Sequence, residues 1–167
     1  YQYDGWGQLL QSDANGTVIS HQYDILGNKT RTDDPSLGTW HFAYDGFGDM
    51  VQQTDAKQQV TQFTYDALGR ATKRIDSSGT SVWTYDQGDK AKGKLSSSAA
   101  DGAMGSSQTQ VVYNSKGLPS QVTKTIAGDS FTTSTDYDAI GRPATLNLPD
   151  GIVYHNRYAN GQLSSIE

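Results

Sequence analysis

Apolar and aromatic residues along this chain recur at every second position rather than at helical spacing. Counting back two residues from Tyr23, Tyr44, Tyr65, Tyr85, Tyr113, Tyr137 and Tyr158 gives His21, Phe42, Phe63, Trp83, Val111, Thr135 and Asn156; counting back four gives Ile19, Trp40, Thr61, Ser81, Thr109, Thr133 and Tyr154. The residues between are mostly polar, as Gln22, Thr64, Thr84, Asp136 and Arg157 illustrate. Successive side chains of a strand point to opposite faces, so this period of two predicts strands whose tyrosine face is the more buried. The signal is clear in the first half and weaker in the second.

The strands belong to a repeat. Tyr-Asp/Asn-x-x-Gly occurs six times: Tyr3-Asp4 to Gly7, Tyr23-Asp24 to Gly27, Tyr44-Asp45 to Gly48, Tyr65-Asp66 to Gly69, Tyr113-Asn114 to Gly117 and Tyr137-Asp138 to Gly141. Two copies are one residue shorter, Tyr85-Asp86-Gln87-Gly88 and Tyr158-Ala159-Asn160-Gly161. Successive tyrosines lie 20, 21, 21, 20, 28, 24 and 21 residues apart. Self-similarity at a fixed period is the mark of a repeat architecture. A second turn signal falls near the middle of most units, at Ala14-Asn15-Gly16, Asp55-Ala56-Lys57, Asp76-Ser77-Ser78-Gly79, Ala127-Gly128-Asp129 and Pro149-Asp150-Gly151. Asn-Gly and Asp-Gly suit tight hairpins because these residues tolerate positive φ. Each unit therefore reads as a two-stranded hairpin, which gives about sixteen short strands in an all-β chain with tandem antiparallel hairpins that twist and curl.

The Tyr-Asp-x-x-Gly element itself is predicted to be a corner. A carboxylate at its second place accepts backbone amides two residues on, forming an Asx-turn, and the glycine closes the turn at positive φ. Trp6, Leu26, Phe47, Leu68 and Ile140, each just before a motif glycine, are expected to tuck the turn against its neighbour. The period breaks between Tyr85 and Tyr113, where small and polar residues from Lys90 to Gly102 predict a longer, mobile, irregular loop near 89–106.

Tyr65-Asp66-Ala67-Leu68-Gly69-Arg70 and Tyr137-Asp138-Ala139-Ile140-Gly141-Arg142 resemble the YD repeat of Rhs proteins, and the resemblance extends over essentially all of residues 1–167, about eight repeats. Related repeats occur in bacterial Rhs effectors, in the B and C components of insecticidal Tc toxins, in wall-associated bacterial toxins and in teneurins. The resemblance implies a spiralling sheet segment of a hollow shell, in a secreted or cell-surface bacterial protein, with the remainder of the shell and a C-terminal toxin cargo as partners. The match departs from the family pattern at the shortened copies, at Asn114, and in the rarity of Arg after the glycine. Ile166-Glu167 ends on a strand-like run without the core that follows the repeats in such toxins, so the chain is expected to be a partial segment.

Composition narrows the chemistry. Hydrophobic residues make up only 34% of the chain, which favours a thin sheet over a thick globular core. The formal net charge is −5 with Lys and Arg scattered singly, which argues against nucleic-acid binding. No stretch approaches the length of a membrane helix, and Tyr1-Gln2-Tyr3-Asp4 has neither the basic nor the apolar region of a signal peptide. Without cysteine, disulfides and thiolate metal sites are excluded.

His21, His41 and His155 have no metal-ligand spacing. Asp13-x-Asn15-Gly16 resembles the start of a calcium loop, but its glycine is two places early and a hairpin turn accounts for it. Asp33-Asp34-Pro35 sits where a mid-repeat turn belongs, and neighbours on a strand face opposite ways, against an acid/base pair. No Gly-x-Ser-x-Gly elbow or phosphate-gripping loop occurs. The expectation is a non-catalytic structural segment without metal or cofactor. Trp6, Trp40 and Trp83 are expected to pack within the sheet or beside turns; a glycan-binding or adhesion module is the alternative reading.

Overall fold

The computed structural model describes residues 1–103 and 105–167 and contains sixteen β-strands and no helix among them. The chain divides into two compact units, Tyr1–Thr80 and Ser81–Glu167. The first is built from β1 (Gln2–Tyr3), β2 (Leu9–Ala14), β3 (Thr17–Tyr23), β4 (Lys29–Asp34), β5 (Gly38–Tyr44), β6 (Met50–Thr54), β7 (Val60–Tyr65) and β8 (Ala71–Asp76). β9 (Gly79–Tyr85) starts in the last two residues of the first unit and continues into the second, which also holds β10 (Leu95–Gly102), β11 (Gly105–Tyr113), β12 (Pro119–Ile126), β13 (Asp129–Tyr137), β14 (Pro143–Asn147), β15 (Val153–Ala159) and β16 (Gln162–Ile166). Within each unit the strands pair in sequence order, without a crossover. Each is a meander in which every strand neighbours the one before it, as hairpin turns at both ends of each strand require.

Mid-repeat turns follow their residues. Asn15-Gly16 and Ala127-Gly128 form two-residue connections with both central residues at positive φ, between Ala14 and Thr17 and between Ile126 and Asp129. Backbone twist of this hand matches the twist of the strands it joins. Asn160-Gly161 has the same geometry, so the shortened copy at Tyr158 is a tight hairpin and not a corner. Asp34 turns the chain after β4 by accepting the amides of Ser36 and Leu37, while Asp33 lies within the strand and holds Arg31 and Thr39.

The period of two survives in the structure. His21, Phe42, Phe63, Trp83, Val111, Thr135 and Asn156 are half-buried together with their tyrosines, whereas Gln22, Ala43, Thr64, Thr84, Val112, Asp136 and Arg157 between them are exposed. Within each unit no second layer of described residues covers either face. Among the described residues only Ala91 and Ser96 are buried, so stability rests on backbone ladders and half-buried side-chain rows rather than on a sealed core.

Two expectations change. Leu95–Gly102 is not part of a loop: it forms β10 and pairs with β11 from Ser97 opposite Gln110 to Gly102 opposite Gly105. Position 104 of the expected loop lies outside the described residues. Small polar residues lack the apolar alternation that signals a strand, yet any residue except proline can fill a ladder when its neighbours supply the partners. The real excursion is Asp86 to Lys94. It folds on itself, with Ala91 donating to the Gly88 carbonyl, Lys94 to the Ala91 carbonyl, and the Ser96 hydroxyl accepting the Gln87 amide.

The residues before the motif glycines do not tuck inward either. Trp6 is 89% exposed, Phe47 96%, and Leu26, Leu68 and Ile140 are also exposed. Each stands at the outer end of a corner, with its amide turned back to the Asp carboxylate, and in a single layer nothing lies beyond it.

Candidate functional site: a ladder of corners

Each complete motif builds the same corner. In Tyr65 to Arg70, Asp66 Oδ1 accepts the amides of Leu68 (2.9 Å) and Arg70 (3.0 Å). The Asp66 amide donates to the Arg70 carbonyl at 2.9 Å, and the Gly69 amide donates to the Asp66 carbonyl at 3.0 Å. One carboxylate oxygen thus satisfies two amides that the turn would leave unpaired. The same bonds occur at Asp4, Asp24, Asp45, Asn114 and Asp138, with acceptance from Trp6 and Gln8, Leu26 and Asn28, Phe47 and Asp49, Lys116 and Leu118, and Ile140 and Arg142. Asn114 makes the same bonds as aspartate because they need only the side-chain carbonyl oxygen. Gly69 adopts φ 72°, a left-handed conformation that a Cβ disfavours, and Gly7, Gly27, Gly48, Gly117 and Gly141 likewise have positive φ.

Each corner also bends the ladder. Pairing slips by one between the residue before the tyrosine and the tyrosine itself, so that Tyr23 faces Lys29, Tyr44 faces Met50, Tyr65 faces Ala71, Tyr113 faces Pro119 and Tyr137 faces Pro143.

The tyrosine hydroxyl ties successive corners together, a bond that the sequence reading missed. Tyr23 Oη donates to the Leu9 carbonyl (3.0 Å), Tyr44 to Lys29 (3.0 Å) and Tyr65 to Met50 (2.8 Å). In the second unit Tyr113 donates to Leu95, Tyr137 to Pro119 and Tyr158 to Pro143, each at 2.8 Å. The acceptor is the residue that opens the strand after the preceding corner, six places past that corner's own tyrosine except at Leu95. The signal for it was the constancy of tyrosine where phenylalanine would serve packing equally well. Burial raises the Tyr44, Tyr65 and Tyr137 hydroxyls above their ordinary pKa, with nearby Asp24 adding to the effect at Tyr44 and Asp49 and Asp45 at Tyr65.

At three corners the side chain after the glycine supplies a further tie. Arg70 pairs with Asp66 and Arg142 with Asp138, each at 2.7 Å, and Asn28 Nδ2 donates to Asp24 Oδ2 at 3.0 Å. These partners hold the corner carboxyls below the ordinary range: Asp24 chiefly through the Asn28 side chain, Asp66 through the Arg70 side chain, Asp138 through the Arg142 amide. Arg142 also stacks over the Tyr158 ring at 4.0 Å, and Lys94 lies over Tyr113 at 4.7 Å.

Two corners carry no Tyr-Asp-x-x-Gly signature. Asp55 Oδ1 accepts Lys57 and Gln59, with Gln58 at φ 63° in the glycine place. The Leu148 amide donates to the Ile152 carbonyl and the Leu148 carbonyl accepts the Gly151 amide, while Asp150 takes the Ile152 amide. At Asp86 the corner is stretched: the Asp86 amide reaches the Lys94 carbonyl, its carboxylate accepts the Gly93 amide, and Gly88 lies within the enlarged loop at φ 93°.

The remaining titratable residues do not converge. His21 Nδ1 meets the Thr32 hydroxyl at 3.1 Å and His155 Nδ1 meets Thr145 at 3.4 Å, on separate strands, while His41 faces Arg31 and Thr54. Asp13 Oδ1 accepts the Gly16 amide of its hairpin. Among the described residues no three acidic or histidine side chains gather in a metal-binding group.

Comparison with known proteins places this ladder. The fold is similar to that of the crystal structure of TcdB2-TccC3-TEV, with a TM-score of 0.66 and 15% identity over 98% of this chain. It is similar also to the crystal structure of TcdB2-TccC3, with a TM-score of 0.57 and 17% identity over 98% of this chain. In the Photorhabdus luminescens Tc holotoxin pore carrying TccC3-D651A, the TM-score is 0.54 with 16% identity over 90% of this chain. The present chain spans only 11%, 12% and 10% of those three chains. No curated protein matches it in sequence. The RHS Repeat family model matches residues 3–39 and 44–81, which hold the first four complete Tyr-Asp-x-x-Gly motifs. Over those residues, which make up a little under half of the chain, the sequence is similar to the RHS Repeat family.

Proposed function

We propose that residues 1–167 form one non-catalytic repeat segment, of about eight units, in the wall of a larger secreted bacterial protein of the Rhs and Tc-toxin kind. The wall encloses or scaffolds a C-terminal toxin cargo, and the partners of the segment are the rest of that wall and the cargo. The motif tyrosines, aspartates and glycines act as its structural site.

The observation that carries this reading is the tyrosine-to-carbonyl bond repeated from corner to corner. A catalytic site needs a unique constellation of groups. Here the recurring polar groups are spent on turns and on the next repeat. A sheet with half-buried faces and no sealed core suits a wall, because the inner surface of a large hollow need not be filled by side chains as a small barrel is.

The test expresses the complete parent with and without these repeats and exposes both to protease. Protection of the downstream cargo only when the repeats are present is the expected result; equal protection in both, or toxicity of this segment alone, refutes the proposal.

A further inference from the structure

The first unit has one apolar rim and one polar rim. Its corners at Asp4, Asp24, Asp45 and Asp66 all lie at the same ends of the strands, and their apices carry Trp6, Ile25, Leu26, Phe47 and Leu68, between 72% and 101% exposed. At the other ends of those strands the turns are polar, with Leu37 the one exposed large apolar turn residue among the described residues of the unit. Apolar side chains exposed singly are ordinary on a protein surface, but a contiguous run of them marks a surface that is covered in use. Strands lie about 4.8 Å apart and successive corners are two strands apart, so the apices recur every ~10 Å along about 29 Å of rim.

The apices are separated by gaps. Gly5 and Gly46 stand directly before Trp6 and Phe47, and Ala67 directly before Leu68; a Cβ at Gly5 or Gly46 would meet nothing within 4 Å. A row of large side chains alternating with gaps is matched by a row of the same period. Turned about a two-fold axis, the rim supplies that row itself, with the Trp6 end of one rim meeting the Leu68 end of the other. The area suffices as well. An aromatic side chain offers about 150–250 Å² and a leucine or isoleucine somewhat less, so Trp6, Ile25, Leu26, Phe47 and Leu68 present roughly 800 Å². That is about what each partner contributes to an interface of standard size. The second unit has no such row: Lys116 occupies the apex of the Asn114 corner and donates to the Ala139 carbonyl at 2.6 Å.

We propose that the corner rim of the first unit is a self-association surface, on which a second copy of this chain docks antiparallel with its own row of apices. Docking there is apolar and works against charge. Asp66 is paired with Arg70, whereas Asp4, Asp24, Asp45 and Asp49 make no ion pair among the described residues, so two rims repel when unscreened. Salt should therefore strengthen the association, the opposite of an interface built on ion pairs. Rim docking and the wall role stand or fall separately, since cargo protection is read in the parent and self-association in this chain.

The test is analytical ultracentrifugation of the 167-residue chain over a concentration series. The chain should pass from monomer to dimer below about 0.2 mM. The dimer should tighten about threefold or more between roughly 0.05 and 0.5 M salt. Trp6→Ser combined with Phe47→Ser should weaken it about tenfold or more. Gly46→Glu, which puts a charge in a gap where the backbone is not left-handed, should weaken it likewise and serves if the double variant folds poorly. Because the chain has no cysteine, spin labels on Ala67→Cys and on Ser77→Cys report the two rims separately, and the Ala67 labels should lie nearer each other across the dimer. A chain that stays monomeric up to about 0.2 mM, whether or not it binds phosphatidylcholine vesicles, overturns the proposal. So does a dimer that salt weakens, a dimer that the folded variants leave unchanged, as pairing through backbone edges would be, or one in which the Ser77 labels lie nearer.

Discussion

The corner at Asp66 and the loop at Asp86 begin with the same Tyr-Asp pair and close differently. At Asp66 the turn takes five residues, with Gly69 supplying the left-handed position and the carboxylate binding two amides. At Asp86 the backbone of the aspartate is itself left-handed, at φ 64°, and the turn takes nine residues, from Asp86 to Lys94, and is filled by Ala91 at 1% exposure. What the two share is the closing bond, from the aspartate amide to the carbonyl of the residue that precedes the next strand. Beyond that bond the ladder is the same: Leu95, after the long loop, accepts the next tyrosine hydroxyl as Met50 does after a short one. The repeat therefore specifies how a corner closes and where the following tyrosine lands, and tolerates insertion between those points.

That comparison is broken most severely by changing what fills each turn. Gly69→Val places a β-branched side chain at φ 72° and is expected to cost about 2–3 kcal/mol, visible as a large fall in melting temperature. Ala91→Leu should cost about 2 kcal/mol by overpacking the buried centre of the long loop. If Ala91→Leu is silent, the long loop is not a packed unit and the contrast with the short corners fails.

Asp66→Ala removes the acceptor of two amides and should lower the melting temperature, by less than Gly69→Val does. Asp66→Asn should retain most of that stability, since Asn114 builds the same corner. The two also separate in acid. Asp24, Asp66 and Asp138 titrate below the ordinary 3.8, so the stability they add is present above that value and is lost as pH falls through their lowered folded values. An acid melting profile of Asp66→Asn should be flatter than that of the parent, and an unchanged slope would show that Asp66 adds nothing through its charge.

The smallest expected effect is at the tie between repeats. Tyr65→Phe keeps the ring but loses the bond to Met50, at about 0.5–1 kcal/mol. Because burial raises Tyr65, its contribution is intact below the ordinary value of 10.0 and is lost as pH climbs through the folded value. Tyr65→Phe should therefore lessen the alkaline loss of stability. An alkaline profile identical to the parent's would remove the hydroxyl from the account.

Local chemistry determined much of this protein from its sequence. Period-two alternation, Asn-Gly and Asp-Gly turns and the Tyr-Asp-x-x-Gly spacing are each set by residues within a few places of one another, so hairpins, strand faces and corners were legible before any coordinates. The shortened copies at Tyr85 and Tyr158 were also visible as departures, although their two different outcomes, a long packed loop and a tight hairpin, were not. Everything that depends on a neighbour distant in sequence had to come from the tertiary structure. The tyrosine hydroxyls find carbonyls 14 to 18 residues away. Ser97–Gly102 becomes a strand because β11 offers it a ladder, against its weak intrinsic preference. Trp6, Phe47 and Leu68 stay exposed because no second layer exists to cover them, and an apolar residue in a sequence carries no information about whether such a layer will be there.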